Sequence, residues 1–329
     1  MQKHSSNDII LKVKSLKKFF AADRGLFMKV KHFVHAVDDV SFEIIRGKSL
    51  GLVGESGCGK TTTGKVIVGL EAPTEGEIFI DGKEIHEYTS KLEYHRKVQM
   101  IFQDPYESLN PRMTIFDIIS EPLNIHNIGN LQEREEKVKN LLQEVGLTPP
   151  SSFMWRYPHE LSGGQRQRVA IARALVLDPT FIVADEPTSM LDVSVRTGVM
   201  NLMMELQEKH GMSYLYITHD FAVARYMCDK IAVMYLGKIV EYANTEELLS
   251  NPMHPYTKAL LTAVPVPDPE YQKGEPDIVG SVSKPINPPP ICRFYERCPL
   301  KEKICKTQHH PELKDLGNEH YVACHLIGK

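Results

Sequence analysis

The sequence predicts an α/β protein built on a largely parallel sheet, and three observations carry that prediction. FIVAD (181–185) and SYLYITHD (213–220) are short apolar runs of the kind buried on both faces of a sheet. Helical patterns alternate with them. A third apolar run, KSLGLVG (48–54), leads into GESGCGKT, a glycine-rich loop that opens the helical stretch KTTTGKVIVGL.

The other elements follow in chain order. IILKVKSLKKFF (9–20) begins as a strand and AVDDVSFEI (36–44) reads as the next. The stretch between them, 21–35, is basic and aromatic and reads as an inserted loop, most simply a solvated one. GEIFIDGKEI (76–85) is a hairpin pattern, with Asp81-Gly82 suited to a type I′ turn. From Thr114 to about Leu161 the pattern is mostly helical. Its clearest helix is QEREEKVKNLLQEVGL, where Val138, Leu141, Leu142 and Val145 share one face and Gly146 closes the end. GGQRQRVAIARALVLDP is a further helix, stopped by Pro179, and IAVMYLGKIVEY is a hairpin turning at Leu236-Gly237. Beyond about residue 265 proline becomes dense, as in VPVPDPE and KPINPPP, which marks a linker or an irregular extended segment. No internal repeat is visible.

The 329 residues suffice for roughly two domains. With 42% hydrophobic and 25% charged residues and a net charge of −3, the composition is that of an ordinary globular chain and argues against nucleic acid as a main partner. No apolar run approaches the ~18 residues that span a bilayer, and MQKHSSNDIILKVKS lacks the apolar core of a signal peptide. The expectation is a cytosolic chain, in which disulfides do not persist.

GESGCGKT (54–61) fits the G-x-x-x-x-G-K-[ST] spacing. Gly54, Gly57 and Gly59 allow the backbone to close around phosphate, and the amides of Glu55, Ser56, Cys58 and Thr62 join that wrap at a helix N-terminus. Lys60 is placed to reach the β- and γ-phosphates and Thr61 to hold Mg²⁺. Cys58 reads as a small filler. In FIVADEPTSMLD an apolar strand ends in Asp185, suited to Mg²⁺, followed by Glu186, suited to polarising an attacking water. Two adjacent acids beside a phosphate loop would repel each other without a cation. LSGGQRQR (161–168) supplies a second anion-binding cap, through Ser162, Gly163, Gly164 and Gln165. One nucleotide cannot readily use two such caps from one chain. A dimer, with this cap over the partner's nucleotide, resolves the surplus.

With LSGGQ the sequence resembles the ATP-binding-cassette (ABC) ATPases, over about residues 9–250. Gln103 in MIFQD matches the family's Q-loop, SMLD with Asp192 its D-loop, His219 in ITHD its switch histidine, and Phe20 its adenine-stacking aromatic. The resemblance implies a P-loop NTPase fold with a RecA-like core, an antiparallel β subdomain and a helical subdomain at about 104–161. It further implies that two subunits clamp two ATP molecules. Glu186 would be the general base, His219 would position the γ-phosphate and water, and Gln103 would join Thr61 and Asp185 at Mg²⁺. Taken alone, His219 would read as a hydrogen-bonded core histidine.

QDPYESLNPRMTI (103–115), NPMHPYTKALL (251–261) and the proline-rich tail are similar to the oligopeptide/dipeptide/nickel importer ATPases, and the long 21–35 stretch to their F-type subunits. This implies a nucleotide-binding domain over 1–250 and a C-terminal extension over 251–329. It also implies a D-type ATPase partner, two membrane permease subunits, a periplasmic or extracellular solute-binding protein, and a peripheral place on the cytoplasmic face of the membrane. Peptide cargo is expected, with nickel or another small solute as the alternative. Met190 stands where the D-loop often has Ala and Thr61 where many members have Ser, and neither change removes a needed group.

The tail holds Cys292, Cys298, Cys305 and Cys324. Their C-x5-C-x6-C-x18-C spacing lacks the tight pairs of zinc sites. It leaves open an iron–sulfur cube, a zinc site with help from His309, His310, His320 or His325, and four plain thiols. The resemblance implies a [4Fe–4S] cluster on these four cysteines. Cys228 is expected as buried packing.

Overall fold

Strands at the two ends of the chain's long axis of sequence, Ile9–Ala21 and Tyr321–Val322, belong to different sheets. The computed structural model describes residues 8–22, 32–263, 278 and 284–327. The chain divides into two compact units. One gathers Ile45–Lys48 and Lys83–Leu215 with the N-terminal end up to Ile10, and the other gathers Leu11–Ile44, Ser49–Gly82 and Tyr216–Lys329. Ser213–Thr218, buried along its whole length, carries the chain from the first to the second.

In the first unit Val98–Ile101 lies parallel to Phe181–Asp185, in register from Val98↔Phe181 to Ile101↔Ala184. Both strands are almost fully buried, as their apolar sequences require. The helical stretch resolves into Pro105–Ser108, Ile115–Ile125 and Leu131–Glu144. The last buries Val138, Leu141 and Leu142, and Gly146, in the left-handed conformation, closes it as expected. Its N-terminus is set by a reciprocal cap between Asn130 and Glu133 that the sequence reading passed over, although Asn and Glu three apart are a visible signal. The helix Gly163–Leu175 stops earlier than Pro179 suggested. Asp178 takes a left-handed conformation and its amide returns to the Leu175 carbonyl (2.9 Å), so the chain has already turned when it reaches the proline.

In the second unit Ile9–Ala21 pairs antiparallel with Glu75–Ile80 from Leu11↔Ile80 onward, with a bulge between Lys14 and Lys17 at the left-handed Ser15. Asp81 and Gly82 both have positive φ, as a type I′ turn requires. The strand Phe33–Ile45 begins three residues before the expected AVDDVSFEI, so Phe33, Val34 and His35 belong to sheet rather than to an inserted loop. The rest of that basic stretch, 23–31, lies outside the described residues, as do 264–277 of the proline-rich segment.

Ser49–Val53 runs parallel to Lys230–Tyr235, which turns at Leu236-Gly237 into Lys238–Asn244. A bulge at Val240 shifts the register, so that Glu241 opposes Val233. The C-terminal segment is woven into this unit. Tyr321–Val322 adds to Lys238–Asn244, and Lys314–Asp315 adds outside it. Phe294 and Cys298 share one apolar cluster with Val53, Val233, Tyr235 and Tyr256.

Candidate functional site

The phosphate loop leaves the buried strand Ser49–Val53 and enters the helix Lys60–Ile67. Its glycines answer to close approach. A Cβ on Gly59 (φ +109°) would stand 2.0 Å from the Ala36 carbonyl oxygen, and one on Gly54 2.2 Å from that of Met234. Lys60 is 5% exposed, and its Nζ donates to the carbonyls of Gly54 (2.7 Å) and Glu55 (2.9 Å). The ammonium is thus held within the loop. Ser56 and Gly57 form the exposed tip, while Thr61 and Thr62 stand half-buried in the first helical turn. Cys58 is buried, and burial pushes its thiol up against the opposing pull of Lys60, so it is a neutral filler as the sequence suggested.

Elsewhere in this unit His219 is exposed just beyond Ser213–Thr218, and the next residue, Asp220, caps the helix Phe221–Met227 through the Ala222 amide (2.8 Å). Phe20 lies on Ile9–Ala21, 36% exposed, with the Lys18 ammonium 4.8 Å from its ring centre.

In the first unit Asp185 closes its strand at 3% exposure. Glu186 follows at φ +43°, a left-handed conformation that costs a non-glycine residue about 1–3 kcal/mol. The turn is held by Ser189, whose hydroxyl donates to the Glu186 carbonyl (3.0 Å). Gln103 Nε2 donates to Glu186 Oε2 at 3.1 Å, so the structure brings these two predicted residues together. Ser162 caps the helix Gly163–Leu175 reciprocally with Gln165 (3.0 and 3.3 Å). That reciprocal cap already occupies one of the N-terminal amides assigned to an anion. The two glycines have a packing task that the sequence did not reveal. A Cβ on Gly164 would lie 2.4 Å from Val195, and one on Gly163 would touch Leu191. Asp192 is exposed at the head of Val193–His210, where its carbonyl, not its carboxylate, accepts from Val195 and Arg196.

The expected iron–sulfur cluster is corrected. Among the described residues no group of three or more His, Cys, Asp or Glu side chains is arranged to hold a metal ion, and all six cysteines are free. Burial favours the neutral thiol at Cys292, pushed up to about 12, and raises Cys298 and Cys324 as well. Cys298 packs in the aromatic cluster with Cys292 against it, which is the environment of a structural cysteine. Cys228 is buried as expected, beside Gly51.

Comparison with known proteins decides the family. The chain matches the family described as ABC transporter over residues 37–189, and the oligopeptide/dipeptide transporter C-terminal region over 240–305. It is 49% identical over 327 residues to the oligopeptide transport ATP-binding protein AppF of Bacillus subtilis (strain 168), covering 98% of each chain. The chain belongs to the ABC transporter ATPases. Within this family it is also similar to the dipeptide transport ATP-binding protein DppF of Haemophilus influenzae, 46% identical with 98% of each chain covered. Among solved ABC cassettes it resembles the dimeric post-hydrolysis state of MJ0796 bound to ADP and Pi (31% identity, TM-score 0.62, 71% of this chain and 98% of that one). Among the described residues of this ABC ATPase no helix is long and apolar enough to cross a membrane.

Two residues at the phosphate loop escaped the sequence reading. Tyr256 Oη accepts from the Glu55 amide (3.0 Å), and Arg297 grips the Glu55 carboxylate through Nη1 (2.6 Å) and Nη2 (3.0 Å). No local pattern links positions 242 residues apart.

Proposed function

We propose that this ATPase powers the uptake of oligopeptides or dipeptides as a peripheral subunit on the cytoplasmic face of a membrane importer. The observation that carries this reading is the peptide-transporter C-terminal region at 240–305, joined to similarity with AppF along 98% of the chain. Permease subunits, a solute-binding protein and a related D-type ATPase subunit are its partners. The domain reading that goes with it is a nucleotide-binding domain over 1–250 and an extension over 251–329.

The loop 54–61 and Lys60 bind the ATP phosphates, with Phe20 against adenine. Thr61, Asp185 and Gln103 would hold Mg²⁺, which would supply neutralisation of the phosphate charge. Glu186 takes a proton from the attacking water while Gln103, its hydrogen-bond partner, orients it. His219 holds the γ-phosphate and the water in place. Ser162, Gly163, Gly164 and Gln165 cover the partner's nucleotide, with Asp192 at the same junction. The exposed state of Ser162, Asp192 and His219 supports roles toward a second molecule or a ligand.

The test is uptake by the reconstituted importer. ATP-dependent accumulation of a labelled tetra- or pentapeptide, absent without this subunit, is expected. Accumulation of nickel with no peptide uptake would overturn the cargo.

A further inference from the structure

We propose that Arg297, on the C-terminal segment, is a positioning residue of the nucleotide site: it neutralises Glu55 and fixes the phosphate loop for a polyanion. The proposal rests on reading 54–61 as the phosphate-binding loop.

Glu55 is an acid inside a loop built to wrap phosphate, and its charge opposes that task. The structure disposes of it with three bonds. Arg297 takes both carboxylate oxygens in a fork, and Tyr256 Oη accepts the Glu55 amide. The Glu55 N–H is therefore turned away from a ligand, and the phosphate must be met by the loop's other amides. Glu55 is thereby anchored at both its main chain and its side chain.

The anchor is rigid. A turn from Cys292 to Cys298 presents Arg297: the Tyr295 amide returns to the Cys292 carbonyl (3.0 Å), and the Arg297 and Cys298 amides return to that of Phe294 (3.1 and 2.9 Å). Phe294 is 1% exposed and packs edge-on against Tyr235 (5.2 Å between ring centres) and at a tilt against Tyr256 (5.4 Å). The Arg297 guanidinium stands 5.7 Å from the Tyr235 ring centre, and Arg297 is only 8% exposed. Arg297 is buried while the Glu55 side chain is 29% exposed, so solvent screens the pair only in part, and losing Arg297 leaves the acid in the loop without its forked partner. Lysine cannot reproduce the planar two-bond grip. The peptide-transporter tail thus contributes a side chain that acts on nucleotide through Glu55.

The experiment compares the full-length wild type, R297Q, R297K and the double variant E55Q/R297Q. It reads MgADP affinity by calorimetry and the kcat and KM of ATP hydrolysis, beside thermal unfolding. We expect R297Q to weaken MgADP by about tenfold and to raise KM with kcat largely kept, as one uncompensated charge near a polyanion predicts. The double variant should recover to within about threefold of wild type, because removing the acid removes the repulsion. R297K, which keeps the charge without the fork, should fall between and serves if R297Q does not fold. Wild-type affinity in both R297Q and R297K overturns the proposal. A double variant no tighter than R297Q reduces Arg297 to a structural fastening and also overturns it. A wild type that binds no MgADP would instead sink the phosphate-loop reading beneath it.

Discussion

The carboxylate of Glu241 and the imidazole of His320 lie 2.7 Å apart, with both side chains closed to solvent. Glu241 also accepts the amides of Met253 (2.7 Å) and His254 (3.0 Å). One acid from the hairpin strand thus ties down both the start of the helix Pro255–Ala263 and the C-terminal segment. Glu241→Ala strips the acceptor from the buried His254 amide and the half-buried Met253 amide, and the partner from His320. We expect a loss of about 3–5 kcal/mol of unfolding free energy in urea titration, the range for breaking a buried pair. A loss below about 1 kcal/mol would show that the network contributes little.

Two neighbouring histidines make the fold sensitive to acid. Burial pushes His254 down to about 3, and burial, with Lys238 and Arg293 nearby, pushes His310 down to about 2. Each accepts a backbone amide at Nδ1, from Tyr256 and Arg293 respectively, which the protonated ring could not do. Their folded values lie below the unfolded value of about 6.5, so the unfolded chain binds more protons below that pH. Their contribution is full above about pH 6.5 and falls by up to about 1.4 kcal/mol per unit for each ring as the pH drops. Urea unfolding at pH 7, 6 and 5 should show the slope, and H310Q should flatten it. Equal stability at pH 7 and 5 would contradict both assignments.

Glu186→Gln should lower ATP turnover by at least about a hundredfold while leaving MgATP binding intact. The amide can still meet Gln103 but cannot take a proton. Phosphate release measures the first effect, and retention of a nucleotide-bound dimer on gel filtration the second. Normal turnover would remove Glu186 from its role.

Gly59→Ala places a methyl group against the Ala36 carbonyl at a backbone conformation that strains any L side chain. The expected cost exceeds about 2 kcal/mol, with MgATP binding lost. Gly57→Ala is the control, since nothing lies within 4 Å of its Cβ position, although its φ of +78° still carries backbone strain. If Gly59→Ala bound nucleotide as well as Gly57→Ala, the close-approach argument would fail.

Strands such as Phe181–Asp185 and Ser49–Val53 were legible because complete burial demands unbroken apolar runs. The phosphate loop was legible because its glycines answer to backbone crowding, which spacing records. The hydrogen bond of Gln103 to Glu186 was not legible, since the two lie 83 residues apart and nothing in the sequence paired them. What escaped depends on long-range side-chain meetings. Arg297 reads as an ordinary surface arginine until the fold sets it on Glu55, and Glu241 reads as the polar face of a strand until the bulge at Val240 leaves it buried. The cysteine tail misled for the opposite reason. Four cysteines within thirty-odd residues look like ligands, yet Cys298 and Cys292 pack against aromatic rings.

The short strand Tyr321–Val322 does more than fasten the C-terminal segment. It lies along the outer side of Lys238–Asn244, pairing at Glu241 and Tyr242, while the Ala323 amide meets the Val240 carbonyl (2.9 Å). Without it that hairpin would present open amides and carbonyls to any extended chain that drifted past. The cover itself ends in Lys314–Asp315, two residues long and charged, too short and too polar to recruit another strand. The segment therefore serves as a guard against edge-to-edge aggregation, and a chain trimmed of it would be expected to precipitate before it unfolded.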